Sequence, residues 1–63
     1  MLEYCKTILS KVSFDKSLFE KELVKSIQKL LDNELRALKK WCYKKFGKIY
    51  LQILNKHFEQ VAL

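Results

Sequence analysis

Near the start of the chain, Leu2, Cys5, Ile8, Leu9 and Val12 recur at three- and four-residue steps, with Glu3, Thr7, Ser10 and Lys11 between them. Positions three and four apart share a face of an α-helix, so this pattern predicts a helix from about Leu2 to Val12. A helix this short depends on packing against a neighbour. Ser13-Phe14-Asp15 interrupts the pattern, and Asp15 suits the N-cap of a second helix because its carboxylate can accept from a free N–H of the first turn. Phe14 and Phe19 then stand at the two positions of a hydrophobic staple. Phe19, Leu23, Ile27, Leu30 and Leu31 mark the buried stripe of this second helix, and Lys21, Lys25 and Lys29 mark its far side, offset in part by Glu22.

Asp32 and Asn33 make the next break. Either can cap a third helix that ends near Phe46, with Gly47 just past its end. Its apolar stripe is Leu35, Leu38, Cys42 and Phe46. Lys39, Lys40, Lys44 and Lys45 crowd its last turns, where cations suit the negative end of the helix dipole. The final stretch, Lys48 to Leu63, opens with the β-prone run Ile49-Tyr50-Leu51-Gln52-Ile53. Gln52, Asn55, Lys56 and Glu59 nevertheless fall together at helical spacing, leaving Tyr50, Ile53, Leu54, His57, Phe58 and Val61 on the other side. This predicts a fourth helix, or a continuation of the third through Gly47 at a cost of about 1 kcal/mol for an interior glycine. With short connections throughout, the expected architecture is all-α, a small three- or four-helix bundle forming a single helical domain over residues 1–63.

Composition agrees with that pattern. The sequence has 63 residues, one glycine and no proline, whereas turn-rich β folds draw heavily on both residues. Hydrophobic residues make up 49% and charged residues 32%, which is neither a disordered nor a membrane-spanning composition. No stretch is apolar enough for a transmembrane span or a signal peptide, and Glu3 and Tyr4 stand where a lipoprotein site needs small residues. Cytoplasm is therefore the default compartment, with both cysteines as thiols.

Charge changes the picture more. The formal net charge is +6, and from Arg36 onward the only acid is Glu59. Such asymmetry raises the expectation of a polyanionic partner. Arg36, Lys40, Lys44 and Lys48 recur every fourth residue as one ridge, flanked by Trp41 and Tyr43. A ridge of this kind can lie along a phosphate backbone with aromatic rings available to stack on bases. It can equally be a solvated lysine face, with the two rings closing the edge of the core. A helix-turn-helix arrangement is disfavoured, since Asp32 and Glu34 would open the recognition helix against phosphates. The same lysines could meet a membrane surface, although the apolar stripe beside them is no wider than a bundle needs.

Little in the sequence points to catalysis. His57 is the single histidine, no serine or cysteine has the partners of a relay, and Gly47 alone cannot build a phosphate loop. Cys5 and Cys42 form no C-x-x-C pair and read as small buried hydrophobes, so neither a metal nor any other cofactor is expected. The broad apolar arc of the last segment points instead to an interface. Leu51, Leu54, Phe58 and Val61 are its expected contact residues, either with a second copy in a two-fold dimer or with another protein. The expectation from sequence is thus a non-enzymatic interaction module, self-associating and binding protein partners, with nucleic-acid binding through Arg36, Lys40, Lys44, Lys48, Trp41 and Tyr43 as the alternative. No small-molecule substrate is evident.

The segments Lys11-Val12-Ser13-Phe14-Asp15-Lys16, Leu18-Phe19-Glu20-Lys21-Glu22-Leu23 and Trp41-Cys42-Tyr43-Lys44-Lys45-Phe46-Gly47 resemble a family of short bacterial proteins of unknown function. The resemblance implies a bacterial cytosolic setting. It carries no assigned activity, and no functional residue transfers from it.

Overall fold

The computed structural model describes residues 1–61. Among them are four helices and no strand: α1 (Leu2–Lys11), α2 (Lys16–Lys29), α3 (Asp32–Phe46) and α4 (Leu51–Phe58). The all-α expectation holds, with four helices rather than three. No helix among the described residues is long and apolar enough to cross a membrane. By contacts the chain divides into two compact units, Met1–Leu31 and Asp32–Leu63.

In the first unit α1 packs on α2. Cys5 and Leu9 are the buried residues of α1, with Leu2, Ile8 and Val12 at half burial. Asp15 caps α2 as its side chain predicts, its carboxylate accepting from the Leu18 N–H at 3.1 Å. The staple does not form. Phe19 is fully buried, but Phe14 is 81% exposed, because the turn at residues 12–14 carries its ring into solvent. The buried line of α2 also differs from the expected one. It runs through Phe19, Leu23, Ser26 and Leu30, with Ile27 only half-buried and Leu31 70% exposed. The cause is local: Leu30 leaves the helix in an extended conformation (φ −85°, ψ 149°), so helical phase stops there and Leu31 points outward. Ser26 tolerates burial because its hydroxyl donates to the Glu22 carbonyl at 2.9 Å.

In the second unit α3 packs on α4. Leu35, Leu38, Cys42 and Phe46 are all buried, so the stripe read from sequence is the stripe observed. Asp32 and Asn33 stand inside the first turn of α3 rather than before it. That placement puts Asp32 and Glu34 at the positive end of the helix dipole. Helix α3 stops at Phe46 and does not continue through Gly47. The Phe46 carbonyl accepts from both the Ile49 N–H (3.0 Å) and the Tyr50 N–H (2.8 Å), which turns the chain before α4 begins at Leu51. The fourth helix is therefore shorter at both ends than the expected Lys48 to Leu63. It ends at Phe58, with Glu59 as C-cap, and Ala62 and Leu63 lie outside the described residues.

Candidate nucleic-acid interface

The site is built on α3. Arg36 and Lys40 are one helical turn apart and exposed, Lys39 lies beside them half-buried, and Lys44 continues the row, also exposed. Arg36, Lys39, Lys40 and Tyr43 line a surface depression of about 450 Å³. Their spacing is i, i+3, i+4 and i+7, which places all four on one face. No carboxylate of the described residues pairs with Arg36, Lys39, Lys40, Lys44 or Lys48; the ion pairs at Lys6–Glu3 and Lys25–Glu22 lie in the other unit. A row of cations without carboxylate partners can give charge-assisted hydrogen bonds to phosphate oxygens.

Two details depart from the ridge as read from sequence. Lys48 is exposed, but it sits in the turn at residues 47–49, past the last residue of α3, so the helical row is Arg36, Lys40 and Lys44. Lys39 joins the site, although it stands outside the fourth-residue recurrence of Arg36, Lys40 and Lys44. The signal that finds it is the three-residue step forward from Arg36, which stays on the same helical face and which a strict i+4 count skips.

The aromatic rings are occupied within the second unit. Tyr43 packs tilted on Phe58, with ring centroids 6.1 Å apart, and its hydroxyl donates to Asn55 Oδ1 of α4 at 2.5 Å. Desolvation first, and the Glu59 carboxylate second, push the Tyr43 phenol above its ordinary pKa, so it stays a hydrogen-bond donor. Trp41 meets Phe46 edge-on at 5.5 Å, and the Lys45 ammonium stands 5.2 Å from the centre of its ring. That contact is a cation–π arrangement across one helical turn. Tyr43 thus ties α3 to α4, whereas the Trp41 contacts lie within α3.

The apolar residues expected at a second interface divide in two. Leu54 and Phe58 are buried in the chain itself, at 0% and 1% exposure. Val61 is half-buried, and Leu51 is 49% exposed. Ile49, in the turn before α4, is 70% exposed. The outward apolar surface of this unit is therefore at Ile49 and Leu51, not at Leu54 and Phe58. Cys5 and Cys42 are buried, matching their places on the apolar stripes, and His57 is half-buried on α4. Among the described residues, no three of His, Cys, Asp and Glu come together to hold a metal ion.

Compared with models of protein families, with curated proteins and with solved structures, the chain has no match.

Proposed function

We propose that this chain is a binding module, not an enzyme, and that it acts by holding nucleic acid on the basic face of α3. The observation that carries the reading is the depression walled by Arg36, Lys39 and Lys40, extended by Lys44, with no carboxylate of the described residues paired to any of them. Cations held at helical spacing on one exposed face are placed for a polyanion, and each phosphate contact they make releases a condensed counterion. Helix-dipole complementarity accounts for Lys44 and Lys45 in the last turn, but it does not account for Arg36, Lys39 and Lys40, which lie well before it. The reading sets the protein in the cytoplasm, where such a partner is available.

The test is charge reversal. Fluorescence anisotropy of labelled nucleic acid should report binding by the parent that weakens steeply with salt. The Lys40→Glu, Lys44→Glu double variant should lose that binding while its far-UV circular dichroism stays that of the parent, since both residues are exposed. Unchanged binding in the double variant would remove this face from consideration.

A second reading is supported by the exposure of Ile49 and Leu51. Two exposed large aliphatic side chains, Ile49 in the turn before α4 and Leu51 at its first position, offer a contact surface for a second copy or another protein. Its readout is the molar mass in solution. The two readings are compatible, because the apolar pair and the basic row are different residues.

A further inference from the structure

We infer that the α3 face grips duplex nucleic acid by its phosphates alone and is not a platform on which single-stranded bases stack. The inference rests on the proposed nucleic-acid reading and deepens it by naming the form of the ligand. Proteins that hold single strands without sequence preference combine a cationic track with open aromatic faces, and stacking supplies much of their affinity. Here both rings beside the track are engaged. Tyr43 is tied to Asn55 by its hydroxyl and to Phe58 by its ring. Trp41 is held edge-on by Phe46, with Lys45 over its ring. Releasing either ring to a base forfeits those contacts.

What remains is electrostatic, and electrostatics favours the duplex. Duplex DNA carries one charge per roughly 1.7 Å of axis, against one per about 3.4 Å on each strand alone. Arg36, Lys40 and Lys44 advance in steps of about 6 Å along the helix axis, so a single face can meet successive phosphates. Base reading by insertion of the helix is opposed by Asp32 and Glu34, whose charges stand in the first turn of α3, where a recognition helix meets the groove. The contact is therefore along the backbone and indifferent to base order.

The experiment compares a labelled duplex with its own single strand, by anisotropy for affinity and by tryptophan fluorescence for stacking. Trp41 is the one tryptophan in the sequence, so the emission reports this site alone. The expected result is about tenfold tighter binding to the duplex and Trp41 emission unquenched by either form. Phosphate contacts by Arg36, Lys39, Lys40 and Lys44 also predict a loss of about 100-fold in affinity between about 50 and 200 mM salt. A scrambled duplex should bind equally. Tighter binding to the single strand with quenching of Trp41 would overturn the inference and leave the nucleic-acid reading standing. Absence of binding to both forms at low salt would overturn the reading itself, and this inference with it.

Discussion

At the scale of single residues, Gly47 shows how a sequence feature can be placed correctly and explained wrongly. A glycine after the last residue of a helix suggests a left-handed cap. Gly47 does follow Phe46, yet no residue among those described has a positive φ. The position needs glycine for space: a Cβ there would press into the backbone carbonyl of Tyr43, the same carbonyl that accepts the Gly47 N–H at 3.1 Å. A backbone oxygen cannot swing aside as a side chain can. Gly47→Ala should therefore destabilise the protein by about 1–3 kcal/mol, where an alanine in an ordinary helical position would stabilise it. Chemical denaturation of parent and variant would measure this, and a variant as stable as the parent would show that the turn relaxes freely. Phe14 is a second residue-scale case. Its spacing from Phe19 was legible and its exposure was not, because spacing cannot tell which way a turn residue faces.

At the scale of elements, the pairing of α3 with α4 depends on a polar tie as well as on apolar stripes. The Tyr43 hydroxyl donates to Asn55, and burial together with Glu59 raises the pKa of that phenol. A raised folded-state pKa means that the folded protein holds this proton more tightly than the unfolded chain does. The associated stability is complete below the unfolded value of about 10 and is lost as pH climbs through the higher folded value. Denaturant midpoints taken from pH 7 to strongly alkaline pH should fall less steeply for Tyr43→Phe than for the parent. At neutral pH the variant should already be weaker by about 1 kcal/mol for the lost hydrogen bond. Equal alkaline slopes in the two proteins would show that Tyr43 does not couple to folding. The aromatic type at position 43 and its distance from the lysines were visible in the chain. Its partner Asn55 was not, since no local pattern connects residues 43 and 55.

At the scale of the whole molecule, charge and apolar surface set what the protein meets. The +6 excess is concentrated after Leu35, which places the proposed polyanion contact in the second unit. Exposed Ile49 and Leu51 give the same unit an apolar contact at the start of α4. If that contact joins two copies, sedimentation or light scattering of the parent should show a molar mass above that of one chain, and Leu51→Asp should return it to one chain with its helical content intact. Leu54→Asp should behave differently, because Leu54 is fully buried: it should unfold the protein and report nothing about association. A parent of single-chain mass at high concentration would end the self-association reading.

The all-α class, the Asp15 cap, the complete buried stripe of α3 and the uneven placement of charge were legible from residue order alone. Each of these depends on neighbours within a few positions along the chain, where helical periodicity and capping chemistry act. The tertiary structure alone decided that Leu54 and Phe58 face inward while Ile49 and Leu51 face out. It also decided that Tyr43 is held by Phe58 and Asn55 of α4. Those outcomes turn on where α3 stops and how α4 returns against it. A turn of a few residues resets helical phase, and a side chain's partner across a packed pair is fixed by distance in space, which periodicity along the chain does not record.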